Sequence, residues 1–121
     1  MNTFQDIGIE KGNAICYSGY RDGQQPGGIL PTYAEVKEDL NILAPHWKYL
    51  RLFDCDEHAQ LVIDVIHNEG FDFKIMLGAY IVAEANNFNC PWDAGVYTPP
   101  QLKKNRILNQ NKIDKLIEFG N

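Results

Sequence analysis

Hydrophobic and polar positions divide the chain into three short apolar runs, each followed by a longer stretch with helical character. The apolar runs span residues 13–17, 48–53 and 73–77, and they have the pattern of buried parallel strands. The helical stretches begin near Thr32, Asp54 and Thr98. Connections that leave the strands are mostly long, whereas those that leave the helices are short. Because a (β/α) barrel builds its site from the loops after its strands, this asymmetry predicts barrel-type α/β architecture with one functional side.

Capping residues indicate where the helices begin and end. Thr32 with Glu35, and Thr98 with Gln101, form capping boxes in which each side chain satisfies a free amide of the other residue. Gly70 is expected to end the second helix in a left-handed conformation. Apolar residues at helical spacing form a stripe on each helix, which is expected to be the buried face of the second helix and is looser on the third. They are Tyr33, Val36, Leu40 and Leu43, then Leu61, Val62, Val65 and Ile66, then Leu102, Ile113, Leu116 and Ile117.

Alternation along the second strand predicts two different faces. Leu50 and Leu52 share one face, which suits packing against helices, and Tyr49, Arg51 and Phe53 share the other. Arg51 is therefore expected to point into the barrel, where a charge needs partners. Two interpretations stay open: Arg51 belongs to a structural ion pair, or it faces the substrate or tunes a nearby acid.

Three loops carry the candidate chemistry. The glycine- and proline-rich segment 18–31 lacks the spacing of a phosphate-binding loop. Asp54 ends the second strand, where it can serve as a helix N-cap, as a catalytic carboxylate, or as both. The long loop 78–97 carries carboxylates, amides and aromatic rings, which suit sugar hydroxyls and sugar faces. Its candidates are Glu84, Asn86, Asn87, Trp92 and Asp93, although Trp92 could equally be a lid that packs on its own loop.

Composition narrows the class of protein. The 121 residues are 45% hydrophobic, enough for one domain, and the net charge of -5, with no basic cluster in the sequence, argues against a nucleic-acid or anionic-membrane partner. No run approaches a membrane span, and no signal pattern opens the chain, so a cytoplasmic location is expected.

The three cysteines, Cys16, Cys55 and Cys90, are widely spaced and are expected to be reduced, buried or half-buried thiols.

Four segments resemble glycoside hydrolase family 17, in particular its bacterial branch of β-1,3-glucan hydrolases and transglycosylases. They are residues 14–21 (AICYSGYR), 49–54 (YLRLFD), 74–80 (KIMLGAY) and 86–92 (NNFNCPW). The resemblance runs from about residue 13 to the end. One departure is visible, since the family usually has tyrosine where Phe53 stands, and a hydroxyl that could contact sugar is missing there.

The resemblance implies the fold and the chemistry. It implies a (β/α)₈ TIM barrel that acts with retention, through an acid/base glutamate after the fourth strand and a nucleophilic glutamate after the seventh. Residues 1–121 would then be the first three βα units, truncated before the fourth strand, with no catalytic residue of their own. Asp54, Glu84 and Asp93 match neither catalytic motif. The substrate-binding residues expected by resemblance are Tyr17, Arg51, Asp54 and Tyr80, to which Arg21, Asn86 and Trp92 are added.

Two function classes follow from this reading. The first is a β-1,3-glucan hydrolase of which this chain is the N-terminal part, with no cofactor or metal and no nucleic-acid or membrane partner. Its partners would be the glucan and, because a partial barrel exposes sheet edges, a complementary barrel fragment or a second copy of the chain. The alternative is a stand-alone three-stranded α/β module that binds carbohydrate or protein without catalysis.

Overall fold

A computed structural model of the chain describes residues 9–86, 88–89 and 96–121. The chain divides after Gly78 into two compact units. The elements alternate between strand and helix: β1 (Ala14–Cys16), α1 (Tyr33–Leu43), β2 (Tyr49–Leu52), α2 (Glu57–Glu69), β3 (Lys74–Leu77) and α3 (Pro99–Gly120). The α/β class is therefore confirmed, with strands slightly shorter than predicted. Within the described ranges, no helix is long and apolar enough to cross a bilayer.

The first unit contains a parallel sheet in the order β1-β2-β3. Its register aligns Cys16, Arg51 and Met76 in one row across the three strands. The ladder continues past the strand ends, where the Gly78 amide donates to the Leu52 carbonyl at 3.0 Å. A side chain at Gly78 would lie 3.0 Å from the Phe53 carbonyl oxygen, so glycine allows the chain to leave β3 beside the end of β2.

The core lies on one face of this sheet only. Helices α1 and α2 contact each other and cover that face with one continuous apolar cluster. The fully buried members of the cluster are Val36, Leu40, Leu50, Leu52, Ala59, Val62 and Val65. The predicted alternation of β2 is confirmed, because Leu50 and Leu52 are buried while Arg51 and Phe53 are exposed. The opposite face, with Cys16, Arg51, Phe53 and Met76, is exposed and is called the open face below.

The helix ends match the predicted caps in most places. The capping boxes at Thr32 and Thr98 are both present, and Gly70 ends α2 with a φ of 70°. Asp54, however, is not the N-cap of α2, and that prediction is wrong. The N-cap is Asp56, whose Oδ1 accepts from the Ala59 amide at 3.0 Å. Asp54 precedes the N-cap position in the chain, so its carboxylate does not take the N-cap geometry.

The second unit differs from the predicted amphipathic helix. Ile113 and Ile117 are exposed while Leu102 and Leu116 are half-buried, so the looser apolar stripe of α3 is only partly buried. The buried residue of α3 is Asn109, with 3% exposure. Its Nδ2 donates to the Val82 carbonyl at 2.8 Å and to Glu84 Oε1 at 2.9 Å, and its Oδ1 accepts from the Val82 amide at 2.9 Å. A buried amide therefore attaches segment 82–84 to α3.

Asn109→Ala is expected to destabilise this attachment by about 1–3 kcal/mol, because the Val82 amide and carbonyl would lose their partners. Amide hydrogen exchange at Val82 measures the effect directly. Asn105→Ala is the matched control, since among the described residues the Asn105 side chain donates one bond, to the Ala83 carbonyl at 2.8 Å. The control should cost clearly less, and equal losses in the two variants would contradict a special role for Asn109.

Candidate functional site

Arg51 occupies the centre of the open face. Its Nη1 lies 3.7 Å from Cys16 Sγ, and its guanidinium carbon lies 5.2 Å from the centroid of the Phe53 ring. In the part of the chain that the structure describes, no carboxylate forms an ion pair with it. Of the two interpretations of Arg51, the structural ion pair is thus not found there. The guanidinium is exposed and its contacts are a thiol and an aromatic ring.

Phe53 and Met76 make this face partly apolar. Their side chains are 51% and 57% exposed, respectively, although each is large and hydrophobic. An exposed ring beside a guanidinium offers an apolar contact area together with several hydrogen-bond donors. This combination can bind a neutral polar ligand that has both an apolar face and hydroxyl groups.

Asp54 and Tyr20 add polar groups at the carboxyl end of β2. Asp54 is half-buried, and its Oδ1 accepts from the adjacent Cys55 amide at 2.9 Å. The hydroxyl oxygen of Tyr20 is buried and has no hydrogen-bond partner in the described ranges. Burial raises the pKa of Tyr20, and the carboxylates of Asp56 and Asp54 raise it further. Tyr20 therefore keeps its proton at neutral pH.

Tyr17 is placed on the other side of the sheet from Arg51. It belongs to the core that α1 and α2 cover, and its hydroxyl donates to Asp39 Oδ2 on α1 at 2.9 Å. Burial and the hydrogen bond to Asp39 raise the pKa of Tyr17 far above its usual range. This placement gives Tyr17 a packing role, and contact with sugar stays a prediction.

Arg21 is held against α1 by carboxylates. Its Nη2 lies 3.1 Å from Glu38 Oε2 and 3.0 Å from Asp39 Oδ1, and it also donates to the Glu35 carbonyl at 3.2 Å. Exposed pairs of this kind contribute little stability, but three contacts fix the direction of the side chain. Arg21 thus attaches the loop after β1 to α1. Its contact with substrate stays a prediction.

His58 is the residue that sequence reasoning missed. It is 6% exposed, and its Nε2 accepts from the Gly19 amide at 3.0 Å. Its ring stacks on Tyr20, with centroids 4.8 Å apart and planes at 22°. A signal existed in the sequence, because His58 precedes Val62 by four residues on the buried face of α2.

The remaining predicted residues lie in the second unit. Tyr80 is largely exposed. Asn86 uses its side-chain amide on Tyr97, donating to the carbonyl at 3.1 Å and accepting from the backbone amide at 2.7 Å. It therefore joins the two ends of its own loop. Trp92 lies outside the described residues, as do Asn87, Cys90 and Asp93.

The cysteines differ in their surroundings. Cys55 is buried as expected, whereas Cys16 is exposed on the open face, which corrects the expectation of a buried or half-buried thiol for Cys16. No set of three or more His, Cys, Asp or Glu side chains is arranged to hold a metal ion in ranges 9–86, 88–89 and 96–121.

Comparison of the chain with protein-family models, with curated proteins and with solved structures found no match.

Proposed function

We propose that this chain forms the first three βα units of a (β/α)₈ barrel similar to glycoside hydrolase family 17, and that it supplies part of a β-1,3-glucan binding site. Two independent observations support this function. One is the resemblance of four ordered sequence segments to that family. The other is the arrangement of the sheet and its helices.

The arrangement of the sheet is the observation that carries the proposal. The strands follow one another in sequence order, and both α1 and α2 lie on the same face. A doubly wound fold reverses its strand order and places helices on both faces. A barrel instead keeps one direction, with all helices outside and the other face inside. The observed order and the uncovered face agree with an arc of a barrel.

The chemistry of the open face suits a neutral sugar. Arg51 offers guanidinium donors, Phe53 offers an exposed ring, and Asp54 offers a carboxylate at the end of the same strand. Sugar rings have both hydroxyl groups and an apolar face, so they can use all three. Because Phe53 replaces the tyrosine usual in the family, this contact would be apolar instead of hydrogen-bonding.

Binding of laminari-oligosaccharides to the purified polypeptide tests the proposal. Amide chemical shifts measured by NMR are expected to change on titration at residues 51–54. Arg51→Leu should weaken binding about tenfold or more, since a hydrogen bond to a charged group contributes about 1.5–3 kcal/mol. Arg106→Leu, on the exposed surface of α3, is the matched control and should bind as the unchanged chain does.

The same titration separates a functional Arg51 from a structural one. If Arg51→Leu lowers the denaturation midpoint strongly but the folded fraction binds sugar normally, Arg51 is a structural residue and the proposed site is wrong. If oligosaccharide perturbs no amide near β2 at saturating concentration, the glucan-binding proposal itself fails.

A further inference from the structure

The β1–α1 loop, residues 17–32, is attached to α2 near its start and to α1 at several points, which include Tyr17 to Asp39 and Gln24 to Glu35. Near its start, the Gly19 amide donates to His58 Nε2 on the first turn of α2. Further along, Arg21 binds the carboxylates of Glu38 and Asp39 on α1. The first attachment is a single hydrogen bond to a titratable ring, so the conformation of Ser18–Tyr20 depends on the protonation state of that ring.

The fit around the first attachment is tight. A Cβ at Gly19 would lie 2.5 Å from the Tyr17 hydroxyl and 3.2 Å from His58 Nε2, so only glycine brings the backbone this close to the ring. Tyr20 stacks on one side of the imidazole, and the Tyr17 ring lies 5.8 Å away at a tilt. The loop therefore closes over His58 and excludes water from it.

This geometry requires a neutral imidazole. A ring nitrogen that accepts a hydrogen bond cannot carry a proton, whereas in the imidazolium ion both nitrogens are donors. Protonation at Nε2 would place a proton against the Gly19 N–H, so the bond would be lost and the two donors would repel. The ion would also be buried beside two aromatic rings, where a charge is costly.

The titratable and charged groups around His58 lie on its own helix and on the β1–α1 loop. Burial lowers the pKa of His58, and the Asp56 carboxylate at the start of its own helix partly offsets this. A cation near a helix N-terminus is disfavoured by the helix dipole. From the loop, the facing titratable groups are the hydroxyls of Tyr17 and Tyr20, both of which keep their protons because burial raises the pKa of each. The carboxylates of Asp54 and Glu57 lie around Tyr20.

We propose that His58 is an acid-sensitive latch, which holds Ser18–Tyr20 against α2 while its ring is neutral and releases that segment when the ring is protonated. The Arg21 attachment to α1 limits the release to the start of the loop. The segment lies at the carboxyl end of β1, so acidification would change access to this edge of the sheet. The inference does not depend on which ligand binds there.

The lowered pKa of His58 determines whether stability rises or falls with pH. In the unfolded chain His58 titrates near pH ~6.5. Because the fold favours the neutral ring, the latch contributes its full free energy above that pH and loses it as pH falls toward the folded pKa. Loosening of the loop and a fall in stability should therefore both occur on the acid side of neutrality.

Hydrogen exchange on the full 121-residue chain tests the latch. Exchange at Gly19, corrected for the intrinsic pH dependence of amide chemistry, is compared at about pH 7.5 and about pH 5. We expect exchange to be about fivefold to tenfold faster at the lower pH, the factor that corresponds to one lost hydrogen bond. Amides of α1 should not change by this factor.

Two substitutions at the same position decide the mechanism. His58→Gln keeps an uncharged acceptor that does not titrate, so Gly19 should stay protected at both pH values. His58→Leu removes the acceptor, so Gly19 should exchange fast at both. His67→Gln, at an exposed histidine near the end of α2, is the matched control and should keep the wild-type pH response.

Other results would overturn the proposal. A pH response that survives in His58→Gln would place the switch on another group. Equal protection of Gly19 at both pH values in the unchanged chain would contradict a latch that opens in this pH range. If His58→Leu fails to fold, the His58→Gln comparison still decides.

Discussion

The purified 121-residue polypeptide is expected to show no hydrolysis of laminarin-type β-1,3-glucan. Retaining hydrolysis needs two carboxyl groups about 5–5.5 Å apart across the scissile bond, one as acid and base and one as nucleophile. Under the proposed resemblance, those roles would belong to glutamates after the fourth and seventh strands of the barrel, which lie outside residues 1–121. Two of the candidate carboxylates make local hydrogen bonds: Asp54 accepts from Cys55, and Glu84 accepts from Asn109.

The measurement is release of reducing ends from laminarin at high polypeptide concentration. We expect a rate no greater than that of the buffer, because the proposal places the acid/base and nucleophile outside residues 1–121, and general acid–base catalysis alone contributes about 10²–10⁴-fold. Saturable hydrolysis that is lost in Asp54→Ala or in Glu84→Ala would contradict this and would indicate an independent enzyme. Oligosaccharide binding without turnover would fit both the proposed barrel and a stand-alone binding module.

The same polypeptide is expected to self-associate in solution. In the described sheet, β1 and β3 each have one neighbouring strand, so each presents a free edge of amide and carbonyl groups. The open face adds the exposed side chains of Phe53 and Met76. Closed barrels remove such edges by pairing the first strand with the last. Sedimentation velocity over a dilution series should therefore show a mass that rises with concentration.

A charge on the open face should reverse this association. Met76→Glu is expected to weaken it at least about tenfold, because a carboxylate would have to be desolvated when two faces meet. Ile42→Glu is the matched control, since Ile42 is an exposed apolar residue on α1 and its substitution should change little. A monodisperse monomer with strongly protected outer strands would instead favour the stand-alone three-stranded module.

The sequence by itself determined the local elements. Alternation in β2 assigned Leu50 and Leu52 to the buried face, and both capping boxes and the left-handed Gly70 were found where predicted. These signals act over one to four residues, so no tertiary partner is needed to recognise them. The parallel sheet followed from the same reasoning, because short apolar runs separated by helices favour βαβ units.

Two predicted roles near the strand ends were decided by the tertiary structure. The N-cap of α2 is Asp56 and not Asp54, because the carboxylate that reaches the free amides depends on how the chain turns after β2. Tyr17 follows an apolar strand, and only the position of α1 shows that its hydroxyl meets Asp39 in the core. In both cases the local sequence pattern allowed more than one polar residue to take the role, and only the fold selects one.

The buried polar residues depended on tertiary structure most of all. His58 and Asn109 are polar, so the hydrophobic pattern gave them no core role, yet each is buried because it binds backbone groups of a segment that is distant in sequence. The Gly19 amide is 39 residues from His58, and Val82 is 27 residues from Asn109. A buried polar side chain is stable only when its partner is present. Periodicity cannot identify that partner, because the fold alone brings the two segments together.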